Sequence, residues 1–186
     1  MKKTFYILKG LWWIEDTFIW IEQVGDEINY ADQNFNKEDY LAVTTQNYDQ
    51  PYIFIRRHSI IKIYTKKFEA QSIKLDLYIR GGTPGIQPFE IYKCNEDVDI
   101  RTVTWNTRPS NLQKIKTKYI NPQTDEKATI DIKQLLEETW QEEKNELILY
   151  LKHGWEWKQN TDAFDISFFS TEAENEQVHP QLVIEF

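Results

Sequence analysis

The sequence has a single cysteine and a shortage of positive charge, and each shortage excludes a class of protein. Cys94 has no second cysteine with which to form a disulfide inside the chain. The 30 acidic residues outnumber the 22 basic residues, which gives a formal net charge of -8. Because this charge repels nucleic-acid phosphates and anionic membrane surfaces, we expect no nucleic acid and no membrane as a partner.

Long hydrophobic runs are also missing. No apolar stretch reaches the roughly 18 residues that a transmembrane helix needs. Lys2 and Lys3 precede an apolar run, as in a secretory signal, but Lys9 interrupts this run. Glu15 and Asp16 then end it without a small-residue cleavage site. We therefore predict no signal peptide and synthesis in a cytoplasm.

The sequence lacks the residue spacings of a catalytic motif or a zinc site. Its three histidines lie on separate predicted strands or at their edges: His58, His153 and His179. None has the His/Cys/Asp spacing of zinc ligands. We therefore expect no enzyme activity, no cofactor and no metal.

One small acidic loop contains Glu96, Asp97 and Asp99. Carboxylate oxygens are the ligands that calcium prefers, but the loop lacks the glycine-punctuated spacing of a calcium-binding loop. A solvated loop is the favoured interpretation, and calcium binding is left open.

Aromatic residues and alternating hydrophobicity are abundant. Aromatic residues make up 15% of the chain and favour β-strands, and apolar residues alternate with polar ones as in strands with one buried face. The predicted strands lie near residues 17–22, 40–45, 52–64, 73–79, 89–94, 147–151, 164–168 and 182–186. About ten strands separated by turn residues predict an all-β domain of two packed antiparallel sheets.

One segment, about residues 131–143, has helical periodicity instead. Its apolar face contains Ile132, Leu135, Leu136, Thr139 and Trp140. We predict an amphipathic helix that covers one end of the sandwich, with Asp131 as its amino-terminal cap and Gln134 completing a capping box.

A tryptophan and a proline lie close together in residues 103–110. Pro109 disfavours helix at Arg108 and ends any strand there. We therefore predict that Trp105 packs at a strand-to-loop corner.

The order of these segments resembles that of the bacterial DNRLRE domain family, whose relatives include alginate-directed carbohydrate-binding modules. The resemblance covers nearly all of residues 16–186 and rests on these segments: DTFI at 16–19, NY at 29–30, YLAV at 40–43, RHSIIKI at 57–63, IKLDLYI at 73–79, VTWNTRPS at 103–110, IDI at 130–132, FSTEA at 169–173 and PQLV at 180–183. It implies a jelly-roll-like antiparallel β-sandwich without catalytic activity.

The sequence departs from the family pattern at two places. Ala31 replaces the glycine that usually follows Asn-Tyr, and Val98 and Ile100 replace a Trp-x-Glu motif. These changes fall in a loop and at an inter-strand corner, so no binding residue is transferred from the family.

Two tryptophans, Trp155 and Trp157, lie in a predicted turn between two strands. Exposed indole rings stack on the apolar faces of sugars or anchor protein partners. We predict a carbohydrate contact at these residues, with capping of the sandwich core as the alternative.

The first 15 residues form an apolar arm that precedes the predicted domain at 16–186. Its candidate partner-docking residues are Phe5, Ile7, Leu11, Trp12 and Trp13. Such an arm adds a strand to its own sheet edge or docks on a neighbouring subunit.

These features predict a non-catalytic structural or interaction subunit of a large assembly. A bacteriophage virion is the expected location, with capsid or tail proteins as partners and a homo-oligomer as a further option. The alternative is a carbohydrate-binding module that recognises a cell-surface polysaccharide through exposed tryptophans.

Overall fold

The computed structural model describes residues 12–49, 52–156 and 160–186. It contains eleven strands, one α-helix and a short 3-10 turn at Glu176–Val178. The elements are β1 Trp12–Val24, β2 Glu27–Asn29, β3 Tyr40–Asp49, β4 Tyr52–Thr65, β5 Ser72–Gly82, β6 Gln87–Cys94, β7 Leu112–Ile120, β8 Lys127–Asp131, α1 Lys133–Gln141, β9 Glu146–His153, β10 Asn160–Phe169 and β11 Gln181–Glu185. The all-β prediction with one helix is confirmed, and a strand is present at each of the eight ranges predicted from alternating hydrophobicity.

Strand β4 is the element at which the sheet divides into two layers. One of its edges pairs with β1 over nearly its whole length. Its other edge pairs first with β3, as far as Arg57, and then with β9, from Ser59 onward. The two layers are therefore branches of one hydrogen-bonded, antiparallel sheet.

The main core lies between these branches. The first branch continues from β3 through β10 to β5, which also pairs with β11 and β8, and the second continues from β9 through β6 to β7. Buried residues from both branches form one cluster, which includes Leu41, Val43, Ile61, Leu75, Phe89, Leu149 and Phe168. At about 1.5 to 3 kcal/mol for each large apolar side chain, this burial is the chief stabilising contribution.

A second, smaller core lies on the outer face of the second branch. There the loop at 95–111 covers Ile60 of β4 and Tyr150 of β9 with its own buried apolar side chains: Val98, Ile100, Val103 and Trp105. The Nδ2 atom of Asn34 fixes this loop by donating to the carbonyls of Ile100 and Val103, at 3.0 and 2.6 Å. Cys94 is a buried free thiol in the same cluster.

The prediction of a strand that ends at the corner in residues 103–110 was wrong. Trp105 is buried as expected, but it lies within the loop between β6 and β7, with no strand before it. Its ring packs against His58 at a centroid distance of 4.8 Å. Burial against the sheet therefore fixes this tryptophan where no ladder of backbone hydrogen bonds does.

The helix is shorter than predicted and begins differently. Asp131 is the last residue of β8, and the cap position of α1 falls on Ile132, which makes no side-chain capping bond. Asp131 still accepts a hydrogen bond from the Lys133 backbone at 3.1 Å, whereas Gln134 bonds to Glu138 instead of completing a capping box. The sheet ladder with β5 holds Asp131 extended, so it cannot adopt the predicted role.

The amino-terminal tryptophans extend the sheet. Trp12 and Trp13 open β1, where they pair with Thr65 and Tyr64 of β4. Trp12 packs against the main core, and the Trp13 side chain is exposed. Phe5, Ile7 and Leu11 lie outside the described residues, so docking by the arm stays a prediction. In the described part of the chain no helix has the length and hydrophobicity needed to cross a bilayer.

Asp16 is a buried carboxyl group in the middle of β1. Its Oδ2 atom accepts a hydrogen bond from the backbone of Thr171 at 3.0 Å, which ties β1 to the segment before β11. Burial raises the pKa of Asp16 from 3.8 to about 7, against the lowering effect of the Thr171 hydrogen bonds. The carboxyl is therefore largely protonated below neutral pH.

We expect Asp16 to make the folded state less stable as pH rises from about 4 to about 7. In this window the folded protein keeps a proton that the unfolded chain releases, so the free energy of unfolding falls with increasing pH. Asp16→Asn should remove this loss and stabilise the protein at pH 8 by up to about 4 kcal/mol relative to wild type. Urea unfolding at pH 4 and pH 8 measures the difference, with the exposed Asp26→Asn as control; equal pH dependence in all three proteins would contradict it.

Candidate functional site

The outer face of the second branch has a covered half and an open half. The loop at 95–111 covers the middle of β4 and β9, and beyond it a groove of about 370 Å³ lies open to solvent. We call it the split groove, because it lies where β3 and β9 separate along β4. Its lining residues are Phe54, Arg56, Glu90, Lys152, His153, Gly154 and Glu156.

The turn after β9 forms one wall of the split groove. The backbone N–H of Gly154 donates to the carbonyl of Pro88 at 2.9 Å. A Cβ atom on residue 154 would lie 2.9 Å from the Pro88 Cβ, so this close approach requires glycine. The turn then carries Glu156 back over β4, where its carbonyl accepts a hydrogen bond from Arg56.

A ladder of charged groups crosses the groove from β4 to β7. The Glu156 carboxylate accepts a hydrogen bond from Nε2 of His58, and its other oxygen lies 3.3 Å from Nζ of Lys152. The same ammonium group is 3.9 Å from Glu90. Glu90 in turn accepts hydrogen bonds from Lys114 and, at 2.6 Å, from the hydroxyl of Tyr92. Cations and carboxylates therefore alternate across four strands.

The protonation states of this ladder follow from burial and charge. Burial opposes ionisation of Glu156, but its interactions with His58, Lys152 and Arg56 outweigh this effect and hold its pKa below the usual range. Burial lowers the pKa of His58, which keeps the imidazole neutral. A neutral ring that donates from Nε2 to Glu156 accepts at Nδ1, which suits the hydroxyl of Tyr150.

The outer part of the ladder is ionised as well. Partial burial opposes ionisation of Glu90, but the hydrogen bonds from Lys114 and Tyr92 lower its pKa. Burial and the neighbouring Glu90 raise the pKa of the Tyr92 phenol, so it keeps its proton. With Arg56, the ladder thus holds three cations against two carboxylates.

Aromatic rings support the cations and border the groove. The guanidinium of Arg56 lies 4.3 Å from the centre of the Phe54 ring, and Nζ of Lys152 lies 5.3 Å from that of Tyr92. Tyr119 of β7 is 66% exposed and pairs with Pro88, two residues from Glu90. Paired residues, and residues two apart on a strand, share one face of a sheet. Tyr119 therefore stands on the groove side of β7.

The structure describes one of the two predicted tryptophans, Trp155, which lies in the turn after β9. Trp155 is half-buried, with its ring edge-on to Phe164 at 4.7 Å and its backbone N–H donating to His153 at 3.1 Å. Trp157 lies outside the described residues. A carbohydrate contact at these two tryptophans stays a prediction.

Sequence reasoning missed the ladder itself. Arg56, His58, Lys152 and Glu90 come from three strands that are far apart in the chain, and their register cannot be obtained from periodicity. The one available signal was the alternation of polar residues on the less apolar face of the predicted strand at 52–64.

The predicted acidic loop uses its carboxylates internally. Asp97 accepts a hydrogen bond from Lys62 at 3.1 Å, Glu96 accepts from the Asn111 backbone at 2.8 Å, and Asp99 accepts from Thr102 at 3.1 Å. Within the described ranges no group of three or more His, Cys, Asp or Glu residues is placed to hold a metal.

A larger groove of about 580 Å³ lies between β7 and α1. It is lined by charged, amide and aliphatic side chains and has no aromatic ring in its lining. Its charged groups also bond along the helix, as Lys133 does to Glu137 at 3.6 Å. The split groove is the better candidate because it combines aromatic rings with a fixed polar ladder.

We expect Glu156→Gln to destabilise the protein by about 2 to 3 kcal/mol, because the neutral amide weakens the hydrogen bond from His58 and loses the attraction to the Lys152 ammonium group. Urea unfolding measures the change, and Glu174→Gln, at an exposed glutamate, is the matched control. Equal stability of the two variants would show that the Glu156 contacts contribute nothing to folding.

Comparison with protein families identifies the family of this chain. The model of carbohydrate-binding module family 96 matches residues 14–186, which include the whole split groove and the loop that covers the second core. The comparison with curated proteins finds no match. The matched range spans nearly the entire chain, and the chain therefore belongs to carbohydrate-binding module family 96.

Proposed function

We propose that this protein is a non-catalytic module that binds a polysaccharide across the split groove. The observation that supports a carbohydrate as the ligand is the membership of the chain in a carbohydrate-binding module family. This finding favours the alternative interpretation of the sequence over the virion subunit, for which the comparisons offer no support. Location in a virion and docking on capsid or tail proteins stay predictions.

The polar ladder suits sugar hydroxyl groups. A hydroxyl both donates and accepts hydrogen bonds, and the ladder offers ammonium donors and carboxylate acceptors in alternation, from Glu156 through Lys152 to Glu90. These side chains already hold one another in place, so little conformational entropy is lost when a ligand binds.

The dimensions of the face suit a chain of sugars rather than a single ring. From Tyr119 on β7 to Arg56 on β4 the groove side spans three strand spacings, or about 14 Å. Tyr119 provides an exposed ring at one end, and the Gly154 turn provides a low wall next to it. A short oligosaccharide segment can therefore stack at β7 and bond along the ladder.

We expect Tyr119→Ala to weaken polysaccharide binding about fivefold while leaving stability unchanged, because the ring is exposed and contributes roughly 1 kcal/mol of stacking. Affinity electrophoresis in gels that contain alginate, polygalacturonate or barley β-glucan measures binding, and Ile28→Ala, which removes an exposed side chain on β2, is the matched control. If no polymer retards the wild-type protein, the proposed function is wrong. If a polymer retards Tyr119→Ala as strongly as wild type, the assignment of Tyr119 is wrong.

The salt dependence of binding distinguishes a neutral polysaccharide ligand from an anionic one. The ladder has an excess of one positive charge in a chain whose net charge is -8, so electrostatic attraction is a minor part of the binding that we propose. We expect affinity to change less than threefold between 50 and 500 mM salt, since hydrogen bonds and stacking are screened little. A tenfold or greater loss would indicate that anionic sugar groups bind the cations of the ladder directly.

A further inference from the structure

A second exposed aromatic surface lies at the opposite end of the same sheet face. The indole of Trp13 on β1 is 56% exposed and stacks on Tyr64 of β4, with ring centroids 4.4 Å apart and planes 15° from parallel. We propose that this pair, the Trp13 platform, is a second carbohydrate contact that stacks against one sugar ring. The proposal rests on the proposed function and adds a separate subsite to it.

The contacts around Tyr64 hold the platform rigid. Its hydroxyl donates to Glu15 at 2.8 Å, and Nζ of Lys62 lies 5.3 Å from its ring centre. Lys62 is fixed in turn by Glu146 at 3.0 Å and Asp97 at 3.1 Å. The indole therefore rests on a ring that cannot turn away, and stacking a sugar on it orders few side chains.

The surroundings of the platform favour a sugar over a protein partner. Charged groups flank it: the half-buried Glu15 lies 3.7 Å from Arg101, whose side chain is 76% exposed. Protein interfaces usually bury an apolar centre that is depleted of charge, and here one indole stands among ionised groups. A sugar ring suits both the indole and the charged groups, because its apolar face stacks on the indole and its hydroxyls form hydrogen bonds with the charged groups.

The platform is separate from the split groove. Tyr64 and Arg56 lie on the same face of β4, eight residues or about 27 Å apart. The loop at 95–111 covers the sheet between them. A short oligosaccharide cannot reach both subsites, whereas a polymer can occupy both and bind more tightly through its raised effective concentration.

The test uses the full chain and two ligand lengths. A mannuronate trisaccharide and cellotriose are too short to join the subsites, and alginate and barley β-glucan are long enough. The variants are Trp13→Ala, which removes the platform, and Trp13→Phe, which retains an aromatic ring. The double variant Tyr119→Ala with Lys152→Met removes the split groove, and Ile28→Ala is the control.

We expect the Trp13 indole N–H resonance, assigned from its absence in Trp13→Ala, to shift when a trisaccharide is added to the double variant. In affinity gels Trp13→Ala should weaken retention by the polymer about fivefold or more, with Trp13→Phe intermediate and Ile28→Ala equal to wild type. An unmoved resonance together with unchanged retention of Trp13→Ala would overturn the platform while leaving the split groove standing.

Two further outcomes would overturn the proposal. If no polymer retards the wild-type protein, both the platform and the proposed function are wrong. If Trp13→Ala alters the oligomeric state measured by sedimentation and leaves polymer retention unchanged, the platform contacts a second copy of the chain instead of a sugar.

Discussion

The divided edge of β4 is the constraint on which the rest of the structure depends. One strand pairs with β3 and then with β9 along a single edge, so the sheet must open into two layers at the change of partner. The opening creates the space that the main core fills. It also leaves a step on the outer face, where the turn after β9 crosses back over β4 and places Glu156 against His58 and Arg56. The main core and the split groove therefore both result from the change of pairing partner along β4.

The groove shows how a fold keeps charged groups partly buried at an acceptable cost. Removing a charge from water is unfavourable unless hydrogen bonds and opposite charges replace the lost solvation. Each cation of the ladder has a carboxylate beside it, and His58 remains neutral between Tyr150 and Glu156. The same arrangement fixes side-chain positions before any ligand arrives. A network that the fold needs in order to satisfy its polar groups therefore also serves as a prearranged set of donors and acceptors.

The fold could be predicted from the sequence because strand alternation is a local property. The strands, the buried helix face and the burial of Trp105 all follow from patterns within a dozen residues. The ladder could not be predicted, because the neighbours of Lys152 are set by the pairing of β9 with β4 and β6, and this register is a product of long-range packing. Asp131 illustrates the same limit at a single residue. Local propensity assigns it to a helix cap, but backbone pairing of β8 with β5 makes it the end of a strand.

The two candidate subsites are separated because the loop at 95–111 covers the sheet between them. The loop at 95–111 lies over the middle of the outer face, where β4 and β9 present Ile60, Ile148 and Tyr150, and burial there is worth several kcal/mol. The ends of the same face carry charged and aromatic residues that gain little from further burial, so the loop leaves them uncovered: the ladder lies at one end, and Trp13 with Tyr64 at the other. A sheet face with an apolar middle and polar, aromatic ends will bind its own loop at the centre and leave separated contact points at its margins. Such spacing favours an extended ligand with repeated units over a compact one, because an extended ligand can meet both points without displacing the loop.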